Sequence, residues 1–599
     1  MQELLNKLNT QQRDAVKYTQ GPLLVLAGAG SGKTRVITHK IAYLIKSLGI
    51  QAKHITAITF TNKAAKEMQE RASKLVSGLN TRGLTICTFH ALGLKIMREE
   101  AKNLGYKPTF SVLDSYDSGK IISDIMQTTD KALVRSMQSQ ISLWKNSFTS
   151  PELVKSQAKE EFDHFAARVY LQYQDTLKTY QAIDFDDLIK LPVELFKTDL
   201  AVLHKWQLKI RYLLVDEYQD TNVCQYQLIK LLAGSQGQFT AVGDDDQSIY
   251  AWRGADSENL RLLNQDYTNL NIIKLEQNYR STTTILGAAN QVIQNNPKLF
   301  EKKLWSDFGT GEPIRLISCP NDEAEADLVV RKIMLHQLNA GTKFSDYAVL
   351  YRSNFQARVL EQAFRNYKIP YTISGGKSFF DKAEIKDIMA YLRLTINEDD
   401  DSAFIRAITT PKRGIGETTL DKLSTYAARR EISLFEALFE EGFASVCNPA
   451  QLENVLDFGR FINDIQARQK FEPAGELLSE ILRAIKYEEY LYDSEEVKAA
   501  EKRYGNVLSF IEWMSKKGEN DNKTLPELTQ TVALITLLEG QSEEEVDSVK
   551  LSTLHAAKGL EYPYVFMISC EEGILPHQES IANGSIEEER RLMYVGITR

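Results

Sequence analysis

Short apolar runs bounded by glycine, proline and acidic residues alternate with longer stretches of helical spacing along the 599-residue chain. Strand-like runs gather in three regions, residues 22–88, 210–275 and 314–373, and a last pair, residues 549–554 and 564–569, stands near the end. Between them, residues 91–195 and 374–545 are rich in Lys, Glu, Leu and Ala, with few β-branched runs. These two stretches read as helical insertions, so each sheet is discontinuous in sequence. No internal repeat of fixed short period and no Pro- or Gly/Ser-rich linker is visible. The acidic runs at residues 398–401 and 543–547 read as solvated loops.

Three of the strand-like runs lead directly into polar residues suited to chemistry. Residues 22–27 (PLLVLA) precede Gly28, Ala29, Gly30, Ser31, Gly32, Lys33 and Thr34, after which Val36, Ile37, Ile41, Leu44 and Ile45 recur at helical spacing. Strand, glycine-rich turn and helix is the context of a phosphate-binding loop. Its backbone N–H groups cradle phosphates, Lys33 reaches the β and γ oxygens, and Thr34 ligates Mg²⁺. Ala27 stands where the usual pattern has its first glycine. Residues 212–215 (YLLV) end in Asp216 and Glu217: the first is placed to hold the metal, the second to polarise an attacking water as general base. Residues 239–242 lead into GDDDQSIYAWRG (residues 243–254), which joins carboxylates and Gln247, able to report a γ-phosphate, to Tyr250, Trp252 and Arg253. Such residues belong at the carboxyl edge of a parallel sheet, where α/β proteins bind ligands.

Composition changes this picture little. Apolar content of 43% and charged content of 25% are ordinary for a soluble globular protein, and the length implies roughly four domains. A net charge of −8 gives no global attraction to nucleic acid, so any DNA or RNA must bind in a locally basic channel. The five cysteines are far apart with no CxxC pair, which leaves disulfide, zinc and iron–sulfur sites without support. The polar N-terminus and the lack of any run near ~18 apolar residues lead us to expect a soluble, cytoplasmic protein without membrane contact.

The motifs AGAGSGKT, TFTNKAA, VDEYQD, GDDDQSIYAWRGA, QNYRS, TLHAAKGLE and YVGITR occur in the order found in one family. The chain resembles superfamily 1A DNA helicases of the Rep, PcrA and UvrD type over its whole length, and SGGKSFF (residues 374–380), PHQ (residues 576–578) and YVGITR look most like the Rep branch. The resemblance implies an α/β fold: two RecA-like P-loop motor domains with parallel sheets flanked by helices, each with a mainly helical insertion. The corresponding boundaries are residues 1–87 and 196–275 for the first motor domain, 88–195 for its insertion, 276–373 and 546–599 for the second motor domain, and 374–545 for its insertion.

The same resemblance assigns roles. Arg280 and Arg599 become cationic fingers on the γ-phosphate, brought from the second motor domain, so that the cleft closes on nucleotide. Gln12 would hold adenine, with Tyr279 and Arg35 as stacking planes, and Glu561 resembles the residue that reads the ribose hydroxyl. Trp252, Tyr250, Phe185 and Phe60 can offer faces to DNA bases, each worth ~1–3 kcal/mol. Thr88, His90, Arg253, Arg352, Asn354, His555 and Lys558 can hold phosphates of the strand. In KRGIGETT, Gly414 and Gly416 either present N–H groups to a duplex phosphate or form a tight inter-helix turn. The implied activity is an ATP- and Mg²⁺-dependent 3′-to-5′ translocase and helicase at replication forks and restart. Its partners would be single-stranded DNA, single-strand/duplex junctions and replication proteins, with the protein acting as monomer or dimer. Two rivals stay open: a translocase that strips proteins from DNA, and an ATP-gated binding switch. In the family further strands follow the Arg599 finger, here the last residue, so the expectation is a fragment that binds nucleotide and DNA but turns ATP over slowly.

Overall fold

The computed structural model describes residues 5–76, 81–128, 130–235, 237–256, 258–374, 382–430, 432–494, 497–521, 523–538 and 547–599. The chain divides into two compact units. The first comprises Met1–Phe89, Phe196–Gly376 and Gly540–Arg599; the second comprises His90–Leu195 and Lys377–Glu539.

The first unit holds two parallel sheets. One has six strands in the order β3 (Thr85–Thr88), β2 (Ile55–Thr59), β6 (Tyr212–Val215), β7 (Phe239–Gly243), β1 (Leu23–Ala27) and β8 (Asn271–Leu275). The other has four, in the order β10 (Tyr371–Ser374), β11 (Val549–Thr553), β9 (Tyr347–Tyr351) and β12 (Tyr564–Met567). Strands β1, β2, β6, β7 and β9 are buried along their whole length. Parallel strands covered on both faces demand such continuous apolar runs. The fold is therefore α/β, with each sheet flanked by helices and interrupted in sequence by a mainly helical stretch. The run at residues 314–317 departs from the strand reading: it pairs with nothing in either sheet, and Ile314, Leu316 and Ile317 are exposed.

Among the described residues the second unit is helical apart from one short parallel pair, β4 (Ser111–Val112) with β5 (Ala182–Ile183). One apolar core runs through Ile385–Val532 and another through Leu113–Ala182. Only half of the acidic run at residues 398–401 is a solvated loop: Glu398 is exposed and Asp399 part-buried, as the charge pattern predicts, but the other two acids depart from it. Asp400 and Asp401 are buried. Asp400 caps the helix Asp401–Thr409 and pairs with Arg393 at 2.8 Å, while Asp401 accepts the Leu434 N–H at 2.8 Å. A capping role satisfies orphan helix N–H groups and removes the acids from water, which a charge run in sequence cannot reveal. Residues 375–381 and 541–546, including most of SGGKSFF and of the second acidic run, lie outside the described residues. No helix among the described residues is long and apolar enough to cross a membrane.

Candidate functional site

The glycine-rich loop leaves β1 at its carboxyl end. Ala27 closes the strand in register with Leu275 at an ordinary backbone conformation, so its Cβ is tolerated there. The left-handed positions are Gly30 (φ +65°) and Gly32 (φ +87°), where a side chain would be strained. Gly28 donates to the Leu275 carbonyl, and the Ser31 hydroxyl donates back to the Gly28 carbonyl at 2.8 Å. Lys33 and Thr34 open the helix Lys33–Lys46, whose positive end faces the loop. The loop is also held from outside: Asn278 donates to the Ala29 carbonyl at 2.6 Å, the Tyr279 N–H to that of Gly30, and Gln12 to that of Ser31 at 2.9 Å.

Gln12 sits in a capping box with Asn9 at the start of the helix Thr10–Lys17, which fixes its carboxamide beside Ser31. Asn9 also donates to the Tyr279 hydroxyl at 2.8 Å, so the residues assigned to adenine gather on one side of the loop. Arg35 and the Tyr279 ring are exposed there. Glu561, assigned to ribose, pairs instead with the guanidinium of Arg280 at 2.8 Å. Arg280 also donates to the Thr598 carbonyl.

The acids after β6 face Lys33. Glu217 lies in the left-handed region (φ 49°), which costs a non-glycine residue roughly 1–3 kcal/mol and breaks the up-down alternation of the strand. This turn brings its carboxylate to 3.4 Å from the Lys33 ammonium. Burial opposes ionisation of Glu217, but Lys33, Lys558, the Gln219 hydrogen bond and Arg599 outweigh it and hold the carboxyl at about 2. Burial and then the Glu217 charge push Asp216 up to about 7. Neighbouring carboxylates thus divide into a firmly ionised one and one whose ionisation is disfavoured by burial and by its neighbour's charge.

A hydrogen-bonded path runs onward from Glu217. Gln219 donates to Glu217 at 2.6 Å and accepts the Asp244 N–H at 2.9 Å. The Asp244 carboxylate accepts from the Gln247 amide, and Gln247 Oε1 accepts from Arg599 at 2.9 Å. Arg599 is buried and further tied to the carbonyls of Val595 and Leu560; burial and then nearby Arg280 lower it to about 10, still charged at neutral pH. Lys558 donates to Asp220 at 2.5 Å and to the Gln247 carbonyl, so it is built into this path rather than into an open groove.

The aromatic half of GDDDQSIYAWRG lies just beyond. The Tyr250 hydroxyl donates to the His555 carbonyl at 3.1 Å, and the Lys558 ammonium lies over its ring at 5.2 Å. Trp252 is 61% exposed and meets His555 edge-on, centroids 6.1 Å apart. The Arg253 side chain lies outside the described residues. Phe60 follows β2 and packs edge-on against Phe89 at 5.4 Å; Thr88, which ends β3, is buried. After β9, Asn354 is exposed, whereas Arg352 is held by the buried Glu589 at 2.8 Å and must exchange that partner to take a phosphate. In the second unit, His90 stacks on Phe185 at 3.9 Å, and desolvation lowers His90 to about 4, leaving the ring neutral. Gly414 (φ +70°) and Gly416 form the turn between the helices Asp401–Thr409 and Glu417–Arg430.

Sequence reasoning left Gln219, Asn278 and Lys302 without roles. Gln219 stands within VDEYQD and Asn278 within QNYRS, so motif membership was a usable signal for both. Lys302 sits in a charged stretch, EKKLW, with no periodicity to mark it.

These features agree with the comparisons to known proteins. The profile described as UvrD/REP helicase N-terminal domain matches residues 8–268, and that described as UvrD-like helicase C-terminal domain matches residues 273–599. The chain is 49% identical over 602 residues to the ATP-dependent DNA helicase Rep of Salmonella typhimurium strain LT2, covering 99% of this chain and 89% of that protein. It is 41% identical over 607 residues to the ATP-dependent DNA helicase PcrA of Staphylococcus aureus strain MRSA252, covering 100% of this chain and 83% of that protein. With both halves of the chain matched, the chain belongs to the UvrD/REP helicase family.

Proposed function

We infer that this chain is an ATP-dependent DNA helicase that moves 3′ to 5′ on single-stranded DNA and opens duplex at replication forks. The observation that carries the reading is the continuous path from Lys33 through Glu217, Gln219, Asp244 and Gln247 to Arg599, with Tyr250 and Trp252 a few residues on. A phosphate at Lys33 would compete for the contact Lys33 makes with Glu217 and so be felt at Gln247. Glu217, ionised and aimed at the cleft, orients and deprotonates the attacking water; Lys33, Arg280 and Arg599 stabilise charge on the transferred phosphoryl oxygens. The cleft suits Mg²⁺, because burial and the Glu217 charge disfavour an ionised Asp216 that a bound cation would stabilise, and Thr34 opens the adjoining helix. Mg²⁺ held by Asp216 and Thr34 would supply charge neutralisation of the nucleotide's phosphates.

The four-part organisation, with boundaries at residues 87/88, 195/196, 275/276, 373/374 and 545/546, is supported by the two separate sheets and the two helical stretches. Single-stranded DNA, stacked on Trp252, Tyr250, Phe60 and Phe185, is the partner that tolerates any sequence, since every base has a π-face. The decisive measurement is ATPase activity with and without single-stranded DNA, in wild type and Trp252→Ala, beside strand displacement on 3′- and 5′-tailed duplexes. Stimulation that survives Trp252→Ala, or displacement from the 5′ tail alone, overturns the coupling or the polarity respectively.

A further inference from the structure

Asp244, Asp245 and Asp246 lie close enough together to hold a cation, and the cation among them is a side chain. The Lys302 ammonium contacts Asp244 and Asp245 and lies 3.1 Å from Asp246. Its side chain is 3% exposed, and those of the three acids 0%, 7% and 13%, so this is a buried charge cluster rather than a surface pair. Breaking such a cluster leaves carboxylates with neither water nor counter-charge.

The cluster fixes the direction of one amide. Asp244, ionised beside Lys302, can only accept hydrogen bonds, so the NH₂ end of Gln247 turns to it. The carbonyl end is then left for Arg599, a pure donor, at 2.9 Å. Without the ammonium the three buried carboxylates cannot all stay ionised, and a proton shared onto Asp244 would make it a donor. The Gln247 carbonyl would be drawn to it and the NH₂ turned on the guanidinium, donor against donor. The residues beside Lys302 are themselves held. Trp305 exchanges backbone hydrogen bonds with Glu276 and Asn278, and Leu304 packs so closely on Gly28 that a Cβ there would meet its Cδ2 at 2.2 Å. One stretch of four residues thus braces both the phosphate loop and the turn that carries Gln247.

We propose that Lys302 is a positioning residue for ATP hydrolysis, which acts by holding Asp244 ionised so that Gln247 presents its carbonyl to Arg599. The inference rests on the reading of Gln247 and Arg599 as parts of an ATPase. The test is a double-mutant cycle of Lys302→Met with Gln247→Ala in the full chain, reading kcat and KM for ATP at saturating single-stranded DNA. Lys302→Met should lower kcat by about tenfold or more with KM changed less than about threefold, and Lys302→Arg should recover part of the loss. On the Gln247→Ala background Lys302→Met should cost nothing further, because the amide it orients is gone. Multiplying losses in the cycle, or a kcat for Lys302→Met within about twofold of wild type, overturns the proposal. If Lys302→Met does not fold, the same cycle with Lys302→Gln, which also removes the charge, decides on the same criterion. A wild type whose ATPase ignores single-stranded DNA defeats the functional reading itself, whereas a stimulated wild type with a multiplicative cycle defeats only the role of Lys302.

Discussion

Two acidic segments, IDFDD at residues 183–187 and DDD at residues 244–246, look alike in sequence and are each answered by one buried lysine. In the second unit Lys145 lies 2.6 Å from Asp184 and 2.9 Å from Asp187, and Asn146 donates to Asp186. Tyr173 donates to Asp184 and offers its ring face to the same ammonium, so these side-chain partners come from neighbouring helices. In the first unit, Lys302 neutralises acids that are also bound by Gln219 and Gln247. The difference lies in what the carboxamides join: Asn146 turns its NH₂ to Asp186 and to the Ser142 carbonyl of its own helix, whereas Gln219 and Gln247 carry Asp244 onward to Glu217 and Arg599. A carboxylate or ammonium has one hydrogen-bonding sense, whereas a carboxamide has two ends and can exchange them. The first arrangement is a foundation under Phe185; the second is a relay beneath Tyr250 and Trp252.

The contrast breaks most visibly at the relay's chemical end. Glu217→Gln keeps the shape and the Gln219 contact but removes the base, so turnover should fall about 10²- to 10⁴-fold while nucleotide and DNA binding persist. Single-turnover hydrolysis beside equilibrium binding checks this, and matched losses in both would reduce Glu217 to a structural role. The foundation should fail differently: Lys145→Met leaves two buried carboxylates unpaired and should destabilise the second unit by about 3–5 kcal/mol. Urea unfolding followed in that unit reads the effect, and a variant of wild-type stability would erase the distinction between the clusters.

Smaller effects separate the aromatics each cluster supports. Loss of one stacked base is worth about 1–3 kcal/mol, so Trp252→Ala and Phe185→Ala should each weaken single-stranded DNA binding by that much. Only Trp252→Ala should also abolish DNA stimulation of the ATPase, because only it adjoins the relay. Fluorescence anisotropy and steady-state ATPase assays, run on both variants, test this directly. The least effect is a pH dependence. Burial, and then the Asp184 charge, raise Asp187 to about 7. Between the ordinary carboxylate value of about 4 and that value the folded state keeps a proton that the unfolded chain has released, so this group's contribution to stability falls as pH rises from about 4 to about 7. Asp187→Asn should flatten that part of the unfolding profile.

The phosphate loop and the acidic pair were legible because each is local: a strand, a turn and a helix start within about a dozen residues carry both geometry and chemistry. The coupling segment was legible as a junction for the same reason, since acids and aromatics share one short loop after β7. Arg352 and Glu561 show what local reading leaves out, namely the partner that holds each. Each stands in a recognisable motif, yet Arg352 is answered by Glu589 and Glu561 by Arg280, partners more than two hundred residues away. Local reading fails at Asp400 and Asp401, since a charge run does not reveal that it caps a helix in a core.

The sequence by itself therefore determined the α/β class, the strand ends at which chemistry sits and the family. Those follow from periodicity and from motifs whose parts are adjacent along the chain. Only the tertiary structure decided that Lys302 answers the three aspartates, that Gln219 joins Glu217 to Asp244, and that Gln247 turns its carbonyl to Arg599. Buried charge must find counter-charge wherever the fold brings it, and sequence distance places no limit on where that is.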